Sequence, residues 1–137
     1  MTDIGNCIFS HCESLTSITV DQGNKEYDSR DNCNAIIESN SNVLKFGCKN
    51  TTIPYSITSI GVYAFYNCSG LTAIDIPNCV TKINDYAFNG CSHLATLSIP
   101  NSVKSIGNYA FADCNDLASI NIPNSVTSIG NWAFWSC

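Results

Sequence analysis

Nine cysteines and two histidines are the residues of this 137-residue chain that could bind a metal or act in catalysis. Zinc sites usually take closely spaced cysteine pairs with a second pair or with histidines, because four ligands must converge on one ion. The nearest such cluster is Cys7, His11 and Cys12 in "CIFSHC". A nucleophilic Cys or Ser needs a base beside it, and His11 and His93 occupy positions that are polar and variable elsewhere in the chain. The sequence therefore predicts no metal, no cofactor and no catalytic residue.

Most of the cysteines occupy one position of a repeat. Cys68, Cys91, Cys114 and Cys137 are spaced by 23 residues, and Cys12 aligns with them. The same step separates Ile60, Ile83, Ile106 and Ile129, then Phe65, Phe88, Phe111 and Phe134, then Leu71, Leu94 and Leu117, and then Pro77, Pro100 and Pro123. A period of this length is typical of repeat architectures whose units stack. Cysteine at a stacked position acts as a small buried hydrophobe.

Each unit reads as a strand, a turn and an irregular segment. In "LTAIDIP", Leu71, Ile74 and Ile76 follow the pattern of a strand with one buried face, and Pro77 ends it. The following "NCVTKINDYAFNGC" has apolar residues mostly at three- to four-residue steps, which predicts a turn and a short, irregular helical segment. In the "PNSV" turns, the Ser102 and Ser125 hydroxyls are expected to satisfy backbone groups, a role that Cys79 takes weakly in "PNCV".

The N-terminal part contains about ten extra residues relative to the period. There, "DNCNAIIESNSNVLKFGCK" predicts a β-hairpin around Asn32–Lys49 with the polar turn "SNSN". The predicted pairs share one apolar side: Ile37 with Leu44, Ala35 with Phe46, and Cys33 with Cys48. Cys33 and Cys48 are then either a disulfide or two facing thiols. We expect one domain over 1–137, with an extended unit at 21–48 and regular units at 49–137.

Charge and hydropathy exclude several classes of protein. The net charge is −5 and only 12% of residues are charged, so the chain has no basic footprint for nucleic acid. No apolar run is long enough to span a membrane. The N-terminal "MTDIGNCIFSHCESL" lacks the basic and continuous apolar regions of a signal peptide.

The repeats have a family likeness. "IPNSVTSIGNWAFWSC", "LASINIPNSVKSIGNYAFADC" and the longer "NKEYDSRDNCNAIIESNSNVLKFGCKNTTIP" resemble BspA-like (treponemal-type) leucine-rich repeats of surface proteins from host-associated bacteria. The resemblance covers nearly all of the chain. It implies a solenoid with short parallel strands on the concave side, a cell-surface or secreted location, and adhesion through a host or bacterial protein. The family has no catalytic motif to carry over. Because the sequence contains no export signal or anchor, we expect this chain to be a piece of a longer array or a truncated gene product.

A partner is expected on the strand positions that face away from the core, because solenoids generally bind through this surface. These positions include Thr72, Asp75, Thr96, Ser98, Ser119 and Asn121. The face is small, polar and neutral, so a solvated face in a structural spacer is the alternative to a binding role.

Two further features are left open by the residues. Tyr63, Tyr86, Tyr109 and Trp132 form either a half-buried ring column that shields the helical segment or an aromatic stripe for a protein or glycan. The last unit, "NWAFWSC", has the sequence of an inner unit rather than of a cap, which predicts end-to-end self-association.

Overall fold

The computed structural model describes residue 1 and residues 3–137, and its regular structure is almost entirely β. The described residues form nine short strands and one 3₁₀ turn, Arg30–Asn32, with no α-helix among them. The strands are β1 (Tyr27–Asp28), β2 (Ala35–Glu38), β3 (Val43–Gly47), β4 (Ser59–Ile60), β5 (Ala73–Asp75), β6 (Lys82–Ile83), β7 (Thr96–Ser98), β8 (Ser105–Ile106) and β9 (Ser128–Ile129). The chain thus turns after every few residues.

A seven-stranded sheet in the order β1-β2-β3-β4-β6-β8-β9 runs along the molecule. Its last four strands are two-residue segments that pair in parallel one period apart, with Ile60 opposite Ile83 and Ile83 opposite Ile106. Sequence reasoning assigned these residues to a turn and a helical segment, which is wrong. Each β-branched Ile is held in extended backbone because the equivalent segment of a neighbouring unit lies beside it.

The predicted strand after each Leu forms in only two of the four units. β5 and β7 pair in parallel as a separate two-stranded sheet, with Ile74 opposite Leu97 and Asp75 opposite Ser98. Residues 118–121 lie at the end of the stack, beside one neighbouring unit only, and are not a strand. Residues 16–19 are not a strand either, because the segment one period further on is the turn between β2 and β3.

The segments predicted to be helical are chains of turns. Ala64 and Tyr66 donate backbone hydrogen bonds to Gly61 and Tyr63 three residues earlier, at 3.3 and 3.2 Å. Phe65, between them, instead donates to the Ala87 carbonyl of the next unit at 2.7 Å. Alternate N–H groups therefore point along the stack, which prevents the continuous i to i−4 bonding of an α-helix.

Apolar columns fill the larger core cluster. Phe65, Phe88 and Phe111 are at most 1% exposed, and their rings stack with centroids 4.9 and 5.2 Å apart. Ile60, Ile83 and Ile106 form a second buried column in the same cluster. A smaller cluster of Ile18, Tyr27, Ile36, Phe46 and Cys48 packs against half-buried side chains of the N-terminal residues. Stacking between units thus supplies most of the buried apolar surface.

The register of the antiparallel pair β2–β3 differs from the predicted one. Ile37 is opposite Leu44, but a register shift between Ile36 and Ile37 places Ala35 opposite Gly47 and Ile36 opposite Phe46. The extra residue turns Phe46 to the other face, where it joins the smaller cluster. Both faces of the pair are therefore buried, whereas the alternation in the sequence predicted one apolar face.

Candidate binding surface

Three of the five repeated cysteines, Cys68, Cys91 and Cys114, are core residues, whereas Cys12 and Cys137 are exposed and do not fit the expected buried column. Cys91 and Cys114 are fully buried, and their thiols donate hydrogen bonds to the carbonyls of Phe65 and Phe88 in the preceding units at 3.2 and 3.3 Å. Burial raises the pKa of Cys114 to about 12 and that of Cys91 well above its usual value. These thiols stay protonated at neutral pH, so they are poor nucleophiles and poor metal ligands. Among the described residues, no group of His, Cys, Asp and Glu could hold a metal ion.

Cys33 and Cys48 lie on opposite faces of the β2–β3 pair. Cys33 belongs to the larger core cluster, whereas Cys48 belongs to the smaller one. Both are free thiols here. The Cys33 thiol donates a hydrogen bond to the Ala35 carbonyl, and the Cys48 thiol donates one to the Asn34 carbonyl. The register shift that separates them was not visible in the sequence, and a disulfide between them stays a prediction.

The histidines make surface contacts. His11 Nε2 lies 3.1 Å from the Asn67 amide nitrogen, and His93 Nδ1 lies 2.9 Å from the Ser69 carbonyl oxygen. Both rings are exposed. The Ser92 hydroxyl oxygen also lies 3.5 Å from His93 Nδ1, but that nitrogen must donate its proton to the Ser69 carbonyl and so cannot act as a base toward Ser92.

The hydroxyls of Ser102 and Ser125 do not satisfy the turn backbone. Both Oγ atoms are buried and have no hydrogen-bond partner among the described residues. The turns are held by backbone bonds instead, such as Val103 N–H to the Pro100 carbonyl at 3.1 Å. The expected role of these serines is therefore wrong.

The strand positions predicted to face away from the core are all exposed. Thr72, Asp75, Thr96, Ser98, Ser119 and Asn121 each leave their side chain in solvent. β5 and β7 bring Asp75 and Ser98 side by side.

A shallow groove borders this face, which we call the strand–turn groove. It consists of two adjoining hollows of about 480 and 460 Å³ that share Asp75, Ile76 and Asn78. Its polar wall residues are Thr52, Asp75, Ser98 and Asn121 from the strand side and Tyr55, Asn78 and Asn101 from the turn side. Prolines of the turns, Pro77 and Pro100, also line it. Asp75 is the one charged side chain among the described residues that line either hollow.

Tyr55 is the residue of this groove that sequence reasoning missed. It is 83% exposed, which makes it the most exposed large hydrophobic side chain among the described residues. It stands one period before Asn78 and two before Asn101. The signal that could have found it is this substitution of an aromatic ring for the Asn of the regular "IPN" turn.

Within the aromatic column, Tyr63, Tyr86 and Tyr109 have little free ring face, whereas Trp132 is 58% exposed at the end of the stack. Tyr86 stacks between Tyr63 and Tyr109 with both centroid separations at 5.0 Å. All four residues have left-handed backbone, with φ between 52° and 59°, and the stacking offsets the strain of that conformation. For the three tyrosines, the stacking favours the ring column over an exposed aromatic stripe.

The stacked 23-residue units place this chain among repeat proteins. A family model of BspA type leucine rich repeat regions matches residues 1–45 and 36–137, in six copies. The chain therefore belongs to the BspA-type leucine-rich repeat family. The comparison with curated proteins found no match.

Solved structures of bacterial leucine-rich repeat proteins are similar to this chain. A leucine-rich repeat protein from Bacteroides ovatus is 37% identical over 67% of this chain and 26% of its own, with a TM-score of 0.57. A leucine rich cell surface protein from Faecalibacterium prausnitzii is 28% identical over 99% of this chain and 43% of its own, with a TM-score of 0.64. The T. pallidum leucine-rich repeat protein is 27% identical over 69% of this chain and 53% of its own, with a TM-score of 0.53.

The chain thus spans between about a quarter and just over half of these three proteins. Among the described residues, no helix has the length and apolar character needed to cross a lipid bilayer.

Proposed function

We propose that this chain is a non-enzymatic interaction module of a cell-surface or secreted repeat protein, and that it mediates adhesion to a host or bacterial partner. Membership of the BspA-type family and similarity to a protein described as a cell surface protein support this location. The observation that carries the proposal is the exposed strand face. Ser98 and Asn121 occupy equivalent positions one period apart, Thr96 lies two residues before Ser98, and all three are exposed.

The proposed binding face combines the exposed strand positions with the strand–turn groove. Its walls offer hydroxyl, amide and carboxylate groups that can hydrogen-bond to a partner, and the Tyr55 ring supplies apolar contact. Tyrosine is a common anchor in binding surfaces because its ring buries a large area at small entropic cost.

Charge-bearing substitutions on this face test the proposal. The triple variant Thr96→Arg, Ser98→Arg and Asn121→Arg should lower adhesion to matrix-coated surfaces or partner cells at least ten-fold. The matched control places the same charge on exposed positions elsewhere, as Asn40→Arg, Thr81→Arg and Thr127→Arg, and should adhere like the parent. Equal adhesion of parent and triple variant would remove this face from the proposal.

A structural spacer is the second candidate function, with binding performed elsewhere in a longer protein. The low charge of the face favours it, since the strand positions contain no arginine and only one carboxylate, Asp75. A pull-down panel with this chain alone separates the two functions, because a spacer captures no host or bacterial surface partner.

We also propose that the isolated chain associates end to end. Ile129, Trp132 and Trp135 are 46%, 58% and 51% exposed at the last unit of the stack. The mass measured by light scattering should rise with concentration, and Trp132→Ser with Trp135→Ser should keep the chain monomeric. A parent chain that stays monomeric at high concentration would contradict this proposal.

A further inference from the structure

The polar side chains of the strand–turn groove are short and nearly uncharged. The wall on the strand side consists of Thr52, Asp75, Ser98 and Asn121. The wall on the turn side consists of Tyr55, Asn78 and Asn101. Apart from the Tyr55 ring, these side chains are short amides, hydroxyls and one carboxylate. No basic side chain is among the described residues that line it.

We propose that this groove binds a neutral, linear glycan, with Tyr55 as the platform for one sugar ring. The inference rests on the proposed adhesion function and names the class of ligand that this face recognises. Asn amides and hydroxyls suit a sugar because each can donate to and accept from adjacent hydroxyls of one ring, and the Asp75 carboxylate can accept from them. An exposed tyrosine ring suits the apolar C–H face of a pyranose, as aromatic rings do in sites that are apolar at one end and wet at the other.

The repeat of the groove fits a polymer better than a compact ligand. Equivalent groove residues sit on neighbouring units, and in-register strands are about 4.8 Å apart. The Phe rings of successive units show the same step, with centroid separations of 4.9 to 5.4 Å. This step is close to the length of one pyranose unit in an extended chain. A linear glycan lying along the groove would therefore meet one turn-side residue (Tyr55, Asn78 or Asn101) and one strand-side residue per sugar.

Charge argues against anionic ligands. The described residues of the groove contribute the Asp75 carboxylate and no cation, and the chain has a net charge of −5. Sulfated or sialylated glycans and phosphate groups would be repelled rather than paired. A flat protein surface is also less well matched, since protein interfaces usually centre on several desolvated aromatic or arginine anchors, and the groove has one.

Direct binding to neutral oligosaccharides tests the inference. The whole chain is titrated by calorimetry with cellohexaose, chitohexaose and mannohexaose, and with heparin hexasaccharide as the anionic comparison. We expect saturable binding of at least one neutral hexasaccharide, at least ten-fold tighter than its disaccharide, and no binding of heparin. Absence of neutral binding at millimolar concentration, or a preference for heparin, would overturn the inference.

Variants at the groove assign the site. Tyr55→Ala should weaken binding at least ten-fold, Tyr55→Phe should retain most of it, and Asn78→Ala should weaken it several-fold. Asn40→Ala, an exposed Asn on the turn between β2 and β3, is the matched control and should bind like the parent. Because Tyr55 is 83% exposed, its variants should keep the parent melting temperature. Undiminished binding by Tyr55→Ala would overturn the assignment.

Adhesion measured in parallel separates this inference from the function on which it rests. If the chain adheres to cells and the best-binding hexasaccharide competes, both stand. If it adheres, but neither the hexasaccharides nor periodate oxidation of the cell surface reduces adhesion, the partner is a protein and the glycan inference fails alone. If it neither adheres nor binds any oligosaccharide, both fail.

Discussion

The regular units and the hairpin-bearing N-terminal part reach stability by different means. In the regular units, Phe65, Phe88 and Phe111 stack almost parallel, with interplanar angles of 4°. In the N-terminal part, Phe9 meets Phe46 edge-on at 82°, with centroids 6.0 Å apart. Repetition lets one residue choice serve every unit, because its partner is a copy of itself. A unit that interrupts the period needs contacts of its own.

Polar contacts supply part of what the irregular unit lacks. Arg30 pairs with Asp28 at 2.5 Å and also donates to Asn42 at 2.9 Å. Ser39 donates to the same Asp28 carboxylate at 2.6 Å. These bonds tie β1 and the 3₁₀ turn to the turn between β2 and β3. The same part also contains three left-handed residues within a short segment, Asp31, Asn32 and Asn34.

Removing one ring from the Phe column should produce the largest effect. Phe88 is fully buried between two other rings, so Phe88→Ala should lower the free energy of unfolding by about 3–5 kcal/mol. Phe9→Ala, the matched change in the N-terminal part, removes a half-buried ring and should cost less. Urea unfolding followed by circular dichroism measures both. Equal costs would mean that the column is no more important than the single edge-on pair.

The second largest loss of stability should come from adding a side chain where two units approach closely. A Cβ on Gly107 would lie 2.4 Å from the Asp85 backbone nitrogen of the preceding unit. Gly107→Ala must therefore push two units apart, and we expect a loss of about 1–3 kcal/mol. Gly5→Ala is the control in the N-terminal part, where the nearest atom is 4.0 Å away, and it should change stability by less than about 0.5 kcal/mol. If Gly107→Ala leaves the free energy of unfolding unchanged, the units are not tightly spaced there.

The sequence predicted the period, the buried columns and the exposed strand face, because each depends on residues that recur. It could not predict that Ser59–Ile60 and its copies are strands rather than turn, since a two-residue strand has no periodicity of its own. The strand exists because Ile60 lies beside Ile83, which is a tertiary effect.

In the candidate site too, the sequence predicted the residues at repeated positions and missed those that break the repeat. Asp75, Ser98 and Asn121 were found because they occupy one repeated position facing away from the core. Tyr55 was missed because it breaks the repeated turn. Phe46 was assigned to the wrong face because one extra residue in β3, Lys45, reverses the alternation. Residues that depart from the repeat therefore have to be examined one by one, because the repeat pattern does not predict their position or role.

Acid should weaken the N-terminal part before the regular units. Hydrogen bonds from Arg30 hold the pKa of Asp28 at about 2, below its ordinary value of 3.8. A carboxyl with a lowered folded-state pKa stabilises the fold above the unfolded pKa, and this contribution is lost as the pH falls from about 4 to about 2. Asp28→Asn should cost about 1 kcal/mol at pH 7 and should flatten the pH dependence of stability in that window.

The control for this change is Asp116→Asn, which alters an exposed carboxylate of a regular unit. It should leave both the stability at neutral pH and its slope in acid close to those of the parent. Thermal unfolding at half-unit steps from pH 5 to pH 2 measures the two slopes. An Asp28→Asn variant with the parent slope would mean that other carboxylates govern acid unfolding.

The smallest effect should come from a repeated residue whose repetition does not stabilise the fold. The Ser102 hydroxyl is buried without a hydrogen-bond partner among the described residues, whereas the equivalent position one unit earlier is Cys79. A thiol is easier to bury than a hydroxyl that cannot bond, so Ser102→Cys should raise the free energy of unfolding by up to about 1 kcal/mol. Cys79→Ser should lower it by a similar amount, and Ser102→Ala separates the loss of the polar group from the gain in packing. If Ser102→Cys destabilises the chain instead, the hydroxyl has a role in the turn. The regular units would then depend on specific polar contacts, as the N-terminal part does. The two regions would differ in their stabilising contacts only by the Phe column and the close spacing of the units.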